Sequence, residues 1–192
     1  MKRNWLIFAA VAVAVLQIGF LSWIIAGRAA VLRDGQEIVL KVEPVDPRDL
    51  LRGDYVRLGY EIASLPRKIF VQPVVDADFT GERRVHVLVR READGVWRPV
   101  SAAFERARVV PAEAGDAVLT GTMSSVLGEG GLGGSALYGI ERFYLPEGEG
   151  RQIETDMRVR PFFVVAAVAP DGTAQIKRFL DGETVLYEEP LY

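Results

Sequence analysis

Apolar residues run without a single charge from Trp5 to Ala26, 22 positions interrupted only by Gln17, Gly19 and Ser22, and no later apolar run approaches that length. As a helix rising about 1.5 Å per residue, the run spans roughly 33 Å, close to the hydrocarbon thickness of a bilayer. Trp5 and Trp23 fall near its two ends, where indole rings favour the membrane interface. Beyond it the pattern changes to short alternating or β-branched segments. Strands are predicted at Glu37–Val45, Tyr55–Ile62, Val85–Arg91, Val96–Phe104, Ala117–Met123, Leu137–Leu145, Phe162–Val168, Thr173–Phe179 and Val185–Tyr187. Asp94-Gly95, Asp171-Gly172 and Asp181-Gly182 separate neighbouring segments, and each is a pair that favours a tight hairpin turn.

The expected organisation is a short cytoplasmic N-terminus over residues 1–4, a transmembrane anchor over 5–26 and an extracytoplasmic β-rich domain over 27–192. A cleavable secretory signal is the competing reading. Its apolar core is usually about 7–15 residues and needs small residues at the cleavage site, whereas this run is longer and Arg28 stands where a small residue is needed. Lys2 and Arg3 precede the run and favour the N-terminus inside, and long domains translocate largely regardless of charge. The fold class expected of the domain is mainly β, an antiparallel sheet or barrel-like arrangement with one or two short helices. The Gly-rich patch from Gly128 to Gly134 reads as a loop. Pro146 to Val159 reads as a helix burying Ile153, Met157 and Val159 and plugging one end of a barrel.

Between the first two strands, Asp46 can cap a short helix, Pro47 fits its first position, Arg52 its last turn, and Gly53 can end it in the left-handed conformation. From Asp54 the period becomes two: Val56, Leu58, Tyr60 and Ile62 point one way and Tyr55, Arg57, Gly59 and Glu61 the other. The first set is expected to be buried. Left over is a crowd of polar groups, Arg48, Asp49, Arg52, Asp54, Tyr55 and Arg57. Alternating charges at this spacing usually form surface ion pairs, each worth less than about 1 kcal/mol. The functional alternative is a recognition surface formed by Arg52, Asp54, Tyr55 and Arg57 at a helix-to-strand corner.

The octet Gly53-Asp54-Tyr55-Val56-Arg57-Leu58-Gly59-Tyr60 matches in full a G-D-Y-x-x-L-x-Y signature, and the chain resembles the bacterial membrane-anchored family named after it. The stretch from Tyr138 to Gly150, and the ending with Asp171-Gly172, Ile176-Lys177 and Leu186-Tyr187, are similar to the same family. The resemblance covers nearly the whole chain. It implies a single-span envelope protein, brings no substrate with it, and suggests a multi-span membrane protein as partner.

Composition narrows the chemistry. The chain has no cysteine, which removes disulfides, thiol nucleophiles and thiolate metal sites. With Lys2 and Arg3 set aside, 21 basic residues face 26 acidic ones, a balance of −5 that argues against nucleic-acid affinity. His86 is the one histidine, so no multi-histidine metal site can form. The serines lack a strained nucleophile turn. A Ser-Lys hydrolase of the signal-peptidase type would need a serine between the span and the octet, where Ala26 to Tyr60 has none, and Lys177 comes too late in the chain. Gly128 to Gly133 satisfies G-x-G-x-x-G without a following helix to hold a pyrophosphate. Carboxylate pairs remain: Asp76 with Asp78, Glu147 with Glu149, and Glu188 with Glu189.

No cofactor is expected. The leading functional expectation is a non-enzymatic accessory or interaction module in the inner membrane, tethered through residues 5–26 beside a multi-span partner. The alternative is an envelope hydrolase using carboxylates on the anchored domain. Converging buried carboxylates would favour the enzyme, and an exposed apolar patch beside the octet the module.

Overall fold

The computed structural model describes residues 2–44, 55–74, 81–111, 113–128, 131–146 and 150–190. The predicted short helix over 46–52, together with Arg52, Gly53 and Asp54, lies outside the described residues. One helix, α1 (Lys2–Asp34), precedes the domain. It is long and apolar enough to cross a membrane, and none of its most apolar window is buried in protein. Membrane anchors and signal sequences share those properties. The helix does not stop at Ala26, because Arg28, Arg33 and Asp34 are compatible with helical backbone. It stops at Gly35, the single residue before β1 (Gln36–Pro44).

The rest is antiparallel. The first sheet contains β1, β2 (Tyr55–Tyr60), β8 (Arg142–Tyr144), β9 (Phe162–Val168), β10 (Ala174–Asp181) and β11 (Thr184–Glu188), in the order β11-β10-β9-β1-β2-β8. The second contains β3 (Ser64–Leu65), β4 (Arg83–Arg91), β5 (Trp97–Ala103), β6 (Ala117–Gly128) and β7 (Gly131–Leu137), ordered β3-β7-β6-β4-β5. All three Asp-Gly pairs make hairpins, β4–β5, β9–β10 and β10–β11, with Gly95, Gly172 and Gly182 at positive φ. The two sheets share one core: Ile38, Leu40, Leu58 and Val164 from the first meet Val85, Val87, Leu119 and Met123 from the second.

The six-stranded sheet curls. Strands β8 and β10 are four spacings apart, about 19 Å in a flat sheet at about 4.8 Å per strand, yet Phe143 on β8 stacks on Phe179 of β10 with ring centroids 5.4 Å apart. Phe143 also meets Tyr187 of β11 at 5.8 Å. The sheet is therefore nearly closed, and its seam lies between β8 and the β10–β11 hairpin. The last turns of α1 pack on β9 and β10, burying Ala29 and Leu32.

Three expectations need correction. Leu137–Leu145 is not one strand: Leu137 ends β7, and a turn with Gly139 at φ 82 intervenes before β8. Gly131–Gly134 is not loop but the start of β7, paired with β6. A Cβ at Gly134 would run into the buried Met123 side chain, so glycine there serves close packing. The second helix, α2 (Gly150–Asp156), is shorter than predicted. It packs against β2 and buries Ile153, with Met157 buried just beyond its end. Val159 follows in the turn that ends it and is 78% exposed instead of buried.

Candidate functional site

Alternation along β2 divides the octet. Val56, Leu58 and Tyr60 are buried, as is Ile62 just beyond the strand. Leu58 gives its backbone N–H to the Glu141 carbonyl at 2.9 Å, and Val56 lies opposite Phe143. The Tyr60 hydroxyl donates to the Ile140 carbonyl at 2.6 Å, and the Tyr138 hydroxyl donates to the Ile62 carbonyl at 2.8 Å. These two buried bonds cross between the same two segments, each satisfying a carbonyl that no strand partner reaches. The Glu141 carboxylate completes the turn by accepting the N–H groups of Tyr138 and Gly139 at 2.5 and 3.0 Å. Burial first, and the Glu141 charge second, push both phenols above their ordinary range, so both remain donors.

The outer face is different. Directly opposed residues of an antiparallel pair point to the same side, and here Tyr55 opposes Tyr144 while Arg57 opposes Arg142. The tyrosine rings lie 5.9 Å apart, tilted by 57°, and the Arg142 guanidinium stands 5.7 Å from the centre of the Tyr55 ring. Tyr144 is 73% exposed. Like charges directly opposite each other destabilise a sheet, yet neither Arg57 nor Arg142 pairs with a carboxylate among the described residues.

This face borders a groove of about 920 Å³ that follows the seam of the curled sheet. Ile25, Arg28 and Leu32 of α1 form one wall, Arg142 and Tyr144 of β8 another, and Ile176 of β10 a third. Glu189 contributes the groove's carboxylate. Of the four predicted recognition residues, Tyr55 and Arg57 thus stand together on an exposed face, while Arg52 and Asp54 lie outside the described residues. Arg28, Arg142 and Tyr144, which the sequence pattern does not single out, join Tyr55 and Arg57 as site residues. The alternation of Arg142 and Tyr144 with Phe143 and Leu145 was the available signal for two of them, and Arg28 is brought in by α1 continuing past its uncharged run.

The other chemical candidates are committed elsewhere. His86 Nδ1 lies 3.0 Å from Thr120 Oγ1, whose hydroxyl donates to the Asp171 carbonyl at 2.9 Å, so Nδ1 carries the proton. Burial, with Arg106 and Arg84 nearby, holds the His86 pKa below its usual 6.5. Lys177 Nζ binds Glu37 at 2.8 Å. Gly128, Gly131 and Gly133 belong to the β6–β7 hairpin and not to a strand-to-helix turn. Among the described residues no three His, Asp or Glu side chains gather in a way that could hold a metal ion. Asp76, Asp78, Glu147 and Glu149 lie outside the described residues.

A family model described as GDYXXLXY protein matches residues 17–179, from within α1 to β10, a range that includes the octet, the Tyr138–Glu141 turn and both arginines of the outer face. No curated protein and no solved structure matches the chain.

Proposed function

The chain belongs to the GDYXXLXY family, and on that footing we propose that it is a single-pass inner-membrane protein whose periplasmic β domain is a non-enzymatic accessory module for a multi-span membrane partner. Residues 5–26 serve as the anchor, 1–4 stay in the cytoplasm, and 27–192 form the extracytoplasmic domain. The observation that carries this reading is the outer β2–β8 face, where Tyr55 and Tyr144 sit with Arg57 and Arg142 beside the exit of α1. Surface aromatics, here the exposed Tyr144 and the half-buried Tyr55, interleaved with arginine are the composition of interface hot spots.

The tether strengthens the argument. Only Gly35 separates α1 from β1, and Ala29 and Leu32 pack on the domain, so span and domain move together. A partner in the same membrane then meets this face at high effective concentration without a long linker to order. The hydrolase alternative requires two carboxyls held across a cleft. Glu189 is the single carboxylate in the described lining of the groove, and no observation favours that alternative.

The test is photo-cross-linking in intact membranes from a benzoylphenylalanine replacing Tyr144. A discrete adduct with a multi-span protein is expected, and its yield should collapse when Arg142→Glu cancels the positive charge of the face. Undiminished capture in that variant overturns the reading.

A further inference from the structure

We propose that the groove between α1 and the seam of the curled sheet holds the head of an anionic phospholipid, its phosphate between Arg28 and Arg142 and its acyl chains leaving past Ile25 into the bilayer. The inference rests on the membrane placement proposed above and assigns a ligand that placement does not require. Continuity is the first argument. Ile25 belongs to the last turn of the uncharged run and lines the groove, as does Arg28, the first charge beyond that run. Trp23, 72% exposed at the same level, is a residue that favours the interface. A lipid can therefore enter sideways, keeping its chain in hydrocarbon while its head meets the two guanidinium groups.

Charge is the second argument. Neither Arg28 nor Arg142 has a carboxylate partner among the described residues. With Glu189 in the same lining, the described charged residues of the groove sum to one positive charge, which matches a phosphodiester monoanion. Arg57, directly opposite Arg142 on the neighbouring strand, adds a further cation beside it. An anion held by Arg142 offsets its like-charge repulsion with Arg57 and adds charge-assisted hydrogen bonds. The volume of about 920 Å³ lies within the range of small-molecule sites, enough for a glycerophosphate head and the upper part of a chain.

The experiment places the full chain in phosphatidylcholine nanodiscs doped with either photoactivatable phosphatidylglycerol or photoactivatable phosphatidylcholine. Phosphatidylglycerol adducts should concentrate on residues 25–32 and 138–144, with no such enrichment for phosphatidylcholine. Arg28→Gln with Arg142→Gln should lower their yield about tenfold, the product of two roughly threefold losses, and Arg91→Gln in the other sheet should not change it. Arg28→Gln alone, at an exposed helix position that leaves the β core untouched, should lower it about threefold. Equal labelling by the two lipids, insensitivity to the arginine variants, complete displacement by inorganic phosphate, or adducts between two copies of the chain would each overturn the assignment. Loss of lipid capture with the Tyr144 partner adduct intact refutes the lipid site alone, whereas failure of the chain to enter nanodiscs refutes the anchor as well.

Discussion

On its inner face β2 presents Val56, Leu58 and Tyr60 to the core, where the Tyr60 hydroxyl is matched by the Ile140 carbonyl, whereas on its outer face Tyr55 and Arg57 meet Tyr144 and Arg142 with no carboxylate paired to either cation among the described residues. Arginines elsewhere show what a fold-serving cation looks like. Arg98 reaches Glu61, Glu92 and Asp94 at 3.0, 2.6 and 2.9 Å, and Arg90 reaches Asp116 and Glu113 at 2.8 and 2.6 Å. Those groups are satisfied within the domain. The outer face of β2 has no such carboxylate among the described residues, and that contrast separates the part of the octet packed into the fold from the part left open on the surface.

The contrast is breakable from both sides. The largest effect should come from Leu58→Ala, which removes a side chain 2% exposed at the junction of β1, β2 and β8. Such truncations cost about 2–5 kcal/mol, measurable as a lower urea midpoint. Tyr60→Phe should follow at about 1–3 kcal/mol, because it leaves the buried Ile140 carbonyl without its donor. If either substitution proves neutral, the inner face is not the structural half of the motif.

A smaller effect belongs to the other sheet. Because burial and the neighbouring Arg106 and Arg84 depress the His86 pKa, its neutral form is favoured in the fold. That contribution is fully present above the unfolded value of 6.5 and is lost as pH falls from there towards the lower folded value. Urea midpoints should decline over this window, and His86→Gln should flatten the decline. The smallest shift in stability is expected from Arg57→Glu. It replaces a like-charge pair with an opposite one across from Arg142, so stability should hold or rise, by at most about 0.5 kcal/mol. The same variant should sharply reduce partner capture, which distinguishes a recognition residue from a structural one.

Much of the fold was legible because its signals are local. The three Asp-Gly turns and the alternation along β2 each follow from a few adjacent residues. The seam was not legible, since it depends on Phe143, Phe179 and Tyr187 meeting from distant parts of the chain. Nor was the break after Leu137, which is held by the Glu141 carboxylate and by the bond from Tyr138 to the distant Ile62 carbonyl. Glycines at 131–134 suggested a loop because composition cannot reveal that Met123 needs the space beside Gly134. The site divided in the same way. Tyr55 and Arg57 were visible as the outward half of an alternating strand, while Arg28 and Arg142 became site residues only once α1 and β8 flanked a common groove.

Benzoylphenylalanine cross-linking at Tyr144 in intact membranes, compared with the same probe at Arg91 in the other sheet, bears most directly on the central claim. The expected result is one multi-span protein captured from position 144, none from 91, and loss of capture in the Arg57→Glu background. No protein captured from 144, together with hydrolysis of an envelope polymer that Asp54→Asn abolishes, would contradict it.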